Sequence, residues 1–90
     1  MRARFQPKQI SSTTTVDANG GVIHGVFVSS GTNPTFQIYD NTSATGDPIV
    51  ETVTGTAGTF YELNAAYGTG LHVVVGGTSP EMTILYRQGG

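Results

Sequence analysis

His24 and His72 are the residues in this 90-residue chain whose type best suits metal chemistry, and each lies among valines in a strand-like run. Two imidazoles would share a metal only if their strands were neighbours facing the same way. Zinc takes three or four ligands, and no carboxylate is spaced to complete the set. Each histidine is therefore expected to be a buried, hydrogen-bonded or interface residue. Asp40, Asn41 and Asp47 bracket a polar stretch whose oxygens suit calcium. Their spacing is not that of an EF-hand loop, and Asp, Asn and Gly are ordinary turn formers. Asp17-Ala18-Asn19-Gly20 opens like a calcium loop but lacks the downstream glutamate. It reads as a hairpin turn, with Asn-Gly supplying positive φ angles.

Gly68-Thr69-Gly70 precedes a strand-like run instead of opening a helix, so it lacks the helix N-terminus of a phosphate cradle. No Gly-x-Ser-x-Gly elbow is present, and no base is placed beside a serine by a known motif. Asn41-Thr42-Ser43 fits the glycosylation sequon and, with no export signal, is expected to stay bare. Tyr39, Tyr61, Tyr67 and Tyr86 are scattered, and Trp is absent, so core or interface packing is expected ahead of a sugar-binding platform. The reading is of no catalytic residue, no cofactor site and no metal site. The chain is expected not to be an enzyme.

The elements that would carry these residues are strands. Gly70–Val75 and Met82–Arg87, rich in β-branched and aromatic residues, flank Gly76-Gly77-Thr78-Ser79-Pro80-Glu81, the pattern of a hairpin with a long loop. Both runs are apolar on both faces, which predicts two covers, one of them an opposing sheet and the other a further layer or a second subunit. Val74, Leu85 and Tyr86 are the candidate oligomer interface. Upstream, Val22–Ser29 reads as a strand with Val22, His24, Val26 and Val28 on one face, and Ile23, Gly25 and Phe27 on the other. Ser30–Pro34 breaks it, Thr35–Asp40 follows, Asn41–Pro48 is a polar loop, and Ile49–Thr54 and Thr59–Leu63 are short strands. Asn64–Gly70 is expected to be a flexible connection. No segment has a helical apolar period. Seven or eight short strands with regular turns predict an all-β fold, an antiparallel β-sandwich of jelly-roll or immunoglobulin-like topology.

Composition narrows the class of function. Only 11% of residues are charged and there is no cysteine, so neither salt-bridge networks nor disulfides support this small core. Small unstapled folds often gain stability by association. Three of the four basic residues, Arg2, Arg4 and Lys8, fall in the first eight positions, while the remainder has one base against six acids. That body is a poor partner for nucleic acid, and no apolar run is long enough to span a membrane. Residues 1–16 read as an extended basic arm, with a polar β-branched strand added at Ile10–Val16, and residues 17–90 as the domain. Arg2, Arg4, Phe5, Lys8 and Ile10 are its candidate partner-binding residues.

Three stretches carry a resemblance: Gly21–Ser29, Phe36–Ala44 with Gly46, and Gly70–Gly77 leading into Thr83–Tyr86. Over roughly residues 20–87 the chain resembles small β-sandwich virion proteins of tailed bacteriophages, of the capsid cement or decoration type. The resemblance implies a homo-oligomer, most often a trimer, that binds the major capsid protein. It further implies synthesis in the host cytoplasm and a place on the capsid surface. The expected mechanism is stapling of adjacent capsid subunits by the sandwich and the arm. Two alternatives accompany it: a head–tail or neck subunit, and a carbohydrate- or receptor-binding module using Asn41–Pro48, Asn64–Gly70 and an exposed Tyr67.

Overall fold

The computed structural model describes residues 5–89; the arm residues Arg2 and Arg4 lie outside that range. Six strands form one antiparallel sheet: β1 (Gln6–Ile10), β2 (Thr14–Asp17), β3 (Gly21–Tyr39), β4 (Pro48–Thr54), β5 (Thr59–Tyr67) and β6 (Leu71–Gln88). The all-β antiparallel class is as expected, but the strand count is lower and two strands are very long. β3 has 19 residues and β6 has 18, and they pair with each other from Gly21↔Gln88 to Tyr39↔His72. The expected closing hairpin is therefore not formed. Leu71–Val75 and Met82–Tyr86 are successive parts of β6, each paired with a different part of β3.

Turn-forming residues act here as a bend. Gly31 (φ 127°) and Asn33 (φ 49°) in β3 lie beside Gly77 (φ 101°) and Ser79 (φ 49°) in β6, all in the left-handed region. The β3–β6 register shifts repeatedly across this zone. Because both strands bulge at one level, neither reverses; the pair turns as a unit. Gly77 is needed on packing grounds too, since a Cβ there would come within 2.5 Å of the Asn33 carbonyl. Nineteen residues of straight strand would span about 60 Å at roughly 3.3 Å each, yet the longest dimension of the molecule is 37 Å. The bend is therefore large enough to bring the far ends together. Tyr67, opposite Gly21, hydrogen-bonds Asp17, which pairs with Leu71.

Each half of the long pair has its own flanking strands. β1 and β5 flank the half built from Gly21–Val28 and Met82–Gln88. β2 and β4 flank the half built from Thr35–Tyr39 and Leu71–Gly76. The turn from β4 to β5 crosses the bend and is tied to it by two backbone bonds, Gly55 N–H to Pro34 O and Gly58 N–H to Val28 O, each 2.7 Å.

One core cluster serves both halves: Ile23, Val26, Val28, Phe36 and Ile38 from β3, and Leu71, Val73, Met82, Ile84 and Tyr86 from β6, with Ile10 and Tyr67. A strict period of two would set Ile23 and Val26 on opposite faces. The bulge at His24, marked by the register shift between Ile23 and Gly25, changes the parity and buries both. It also leaves Phe27 outside, at 37% exposure. Across the bend β6 changes parity again, from Leu71 and Val73 to Met82, Ile84 and Tyr86.

The expected division between arm and domain does not fall at a break in the sheet. Gln6–Ile10 is paired with β6, and Ile10, at 4% exposure, is part of the core and not a free partner contact. Lys8 is exposed opposite Ile84. The expected hairpin at Asp17–Gly21 is also replaced. β2 pairs with β6, not β3, and neither Asn19 nor Gly20 has a positive φ. The chain turns there through a bond from the Asn19 amide to the Asp17 carboxylate, 3.0 Å.

Candidate functional surface

The two histidines are far apart along the sheet. His72 lies opposite Tyr39 at one end of β3, and His24 lies near the other. His72 Nδ1 is 2.8 Å from the Thr15 hydroxyl, and His24 Nδ1 is 2.7 Å from Asn64 Oδ1. Both serve hydrogen bonds on the outer side of the sheet. Among the described residues no group of three or more His, Asp or Glu is placed to hold a metal.

Asp40 has a structural partner in place of a cation. Its carboxylate accepts the backbone N–H groups of Gly68 (3.0 Å), Thr69 (2.8 Å) and Gly70 (3.4 Å). The run Gly68-Thr69-Gly70 is thus an anion-binding nest filled by the protein's own side chain. The Gly68 bond, then that of Thr69, holds the Asp40 carboxyl below the usual range, against a smaller opposing effect of burial and with further help from Gly70. The contribution to stability is present above the unfolded value of about 4 and fades as pH falls through the lowered folded one. Asp40→Asn is nearly isosteric and uncharged, so it should melt below the parent at neutral pH. Its deficit should shrink in acid, where the parent carboxyl is protonated too. Thermal melts across the acid range check this; a deficit independent of pH would show that charge is not involved.

Of the two stretches named for a sugar site, Asn64–Gly70 is not a flexible connection throughout, since Asn64–Tyr67 is the paired end of β5. Asp40 joins its remaining Gly68–Gly70 to the Asn41–Pro48 loop, and Tyr67 is only 3% exposed. Its hydroxyl donates to Asp17 Oδ2 at 2.8 Å, and Asp17 is itself 3% exposed. A buried ring cannot stack on a sugar. The pair forms one wall of an open depression of about 850 Å³, completed by Gly20, Gly21, Val22 and Gln88. Both Asp17 oxygens already have donors, from Tyr67 and from Asn19.

What remains unsatisfied is apolar area. On the side of β1, β6, β3 and β5 away from the core lie Phe5 and Pro7, then Leu85 and Arg87, then His24 and Phe27, then Phe60 and Glu62. Phe5 stacks on His24 with ring centroids 4.6 Å apart, and His24 meets Phe60 at 5.3 Å. The Arg87 guanidinium sits 5.8 Å from the Phe5 centroid. Phe5, Phe27 and Phe60 are each more than a third exposed. A Cβ on Gly25 would strike the Phe60 ring, so the glycine lets that ring lie over β3. Leu85, a residue expected at an oligomer interface, is on this face and half-buried, whereas Val74 is on the outer side of the other half and Tyr86 is in the core at 7% exposure. The other outer side is mixed: Val74 and Tyr39 lie half-buried there, Gln37 donates to Glu51 at 3.1 Å, and Thr15 meets His72.

Strict alternation does not reveal this patch: it groups His24 with Val26, whereas the bulge puts His24 on the outward face with Phe27. Compared with protein-family models, curated proteins and solved structures, the chain matches none.

Proposed function

We propose that the chain is a structural subunit of a tailed-phage virion, a capsid cement or decoration protein that associates with itself and binds the major capsid protein at the capsid surface. The observation that carries this reading is the exposed Phe5–His24–Phe27–Phe60 face on a small, weakly charged, unstapled sheet. Contiguous exposed aromatic area of this kind marks a protein contact surface. The resemblance of Gly21–Ser29, Phe36–Ala44 and Gly70–Tyr86 to such virion proteins points the same way. We read the bent sheet as a sandwich-like fold whose two halves face each other across the core. Trimeric assembly is what the resemblance implies, and sedimentation of the full chain separates it from a two-fold pair.

The arm keeps a smaller part in this proposal. Residues 6–17 complete the chain's own sheet, so capture by the neighbouring capsid subunit falls to residues 1–4, which bring Arg2 and Arg4. Pro7 and Lys8 on the edge strand β1 disfavour pairing with a foreign strand there. Removing residues 1–16 would take out β1, β2 and the Ile10 contact, and so would confuse binding with folding. Removal of residues 1–4 is the cleaner test. Electron cryo-microscopy of the virion should show the chain at symmetric positions on the capsid lattice, with occupancy falling in the shortened variant. Density confined to the neck would overturn the cement reading, and unchanged occupancy would remove the arm from it.

A further inference from the structure

We infer that the aromatic face of β1, β6, β3 and β5 is where a second copy of this chain docks, face to face about a two-fold axis. The charges on the face argue for a copy of itself as the occupant. Arg87 and Glu62 lie on opposite flanks of β3, Arg87 beside Val22 on β6 and Glu62 beside Gly25 on β5. Among the described residues neither is in an ion pair: Arg87 rests against the Phe5 ring, and Glu62 accepts a bond from Asn64 at 2.8 Å. A two-fold axis in the interface plane, crossing the line from Arg87 to Glu62 at its midpoint and at right angles to it, exchanges the flanks. It sets the Arg87 side of one copy over the Glu62 side of the other, twice, as a self-complementary interface requires.

Area and shape agree with a protein occupant. Four strands about 4.8 Å apart, β1 with five residues and the others roughly eight, cover on the order of 450 Å². Two such faces bury on the order of 900 Å², the size of a weak, reversible interface. The rings of Phe5 and His24 are stacked on each other with their planes 18° apart. Their faces are thus largely spent on one another, which suits interdigitating side chains better than a flat sugar ring. The outer side of the other half carries none of the large exposed apolar side chains of the described residues.

The test is sedimentation equilibrium of the full chain with three variants. Phe27→Lys alters a side chain outside the core and should weaken dimerisation by at least about tenfold while the melting temperature holds. Glu62→Arg opposes the partner's Arg87 and should also weaken it. Glu62→Arg combined with Arg87→Glu restores opposite signs and should recover most of the loss. A monomeric parent, a trimer, or a dimer indifferent to Phe27→Lys would each overturn the inference. So would a monomeric parent whose capsid binding is lost in Phe27→Lys, which would give the face to the capsid protein. The inference does not depend on the virion reading, and its failure would leave that reading to be judged by the location of the chain in the particle.

Discussion

Replacing Phe36 by alanine is expected to lower the free energy of unfolding by about 3–5 kcal/mol. Phe36 is 1% exposed on the part of β3 flanked by β4. Its ring meets Tyr61 of β5 edge-on at 5.4 Å, and β5 flanks the other half of the long pair. The contact therefore ties together two regions that backbone pairing joins only through the bend. A domain of this size has on the order of 5–15 kcal/mol of stability, so the variant would keep little margin. Phe27→Ala, on the same strand but outward, should cost far less, on the order of 0.5 kcal/mol. Urea denaturation of both variants checks the contrast. Equal losses would mean that the assignment of inward and outward residues along β3 is wrong.

That contrast also marks where the sequence was readable. The all-β class followed from β-branched runs without a helical period. The loop at Asn41–Pro48 followed from its Gly, Pro and Asp, and both the class and the loop stand in the structure. The errors share one cause. Asn33-Pro34 and Gly76-Gly77-Thr78-Ser79-Pro80 have the composition of chain-reversing loops, and composition does not distinguish a reversal from a bulge. The difference lies in the partner: each breaker faces another breaker on the neighbouring strand, a non-local fact. Once those segments are bends, four expected strands become two, and the hairpin becomes one strand. The bulge at His24 had a similar effect on a smaller scale. It shifts parity by one residue, so His24 joins the outward face of Phe27, whereas simple alternation groups it with Val26. Simple alternation therefore hides the aromatic face as a patch, although Leu85, a candidate interface residue, lies within it. The glycines of Gly68–Gly70 are visible in the sequence, but without a helix they do not by themselves signal a nest. Its occupant, Asp40, is remote in sequence and close because the antiparallel pairing of Tyr39 with His72 sets the end of β3 beside the start of β6.

The second large effect is expected at the place where the bend closes. Asp17→Ala removes the acceptor for the buried Tyr67 hydroxyl and for the Asn19 amide. Stranding a buried donor costs about 1–3 kcal/mol, and losing the turn bond adds roughly 0.5–1.5 kcal/mol. Tyr67→Phe strands the carboxylate instead and should cost about 1–3 kcal/mol. Because each change spoils the same bond, the double variant should lose less than the two losses added together, with a coupling of about 0.5–3 kcal/mol. Simple additivity would show that the hydroxyl and carboxylate act independently. The pair also has a signature in alkali. Burial first, and then the hydrogen bond and charge of Asp17, push the Tyr67 phenol well above its ordinary value. Its contribution is therefore complete below the unfolded value of about 10 and is lost as pH rises toward the folded one. Stability of the parent should fall across that range, and the curve for Tyr67→Phe should be flatter there. Asp17 sits on β2 and Tyr67 on β5, strands that flank different halves of the bent pair. The bond between them holds the ends of the bend together, just as Phe36 and Tyr61 hold its interior. Loosening it should therefore also disturb the outer face built on β1, β6, β3 and β5, so Asp17→Ala should weaken self-association although no part of Asp17 lies on that face.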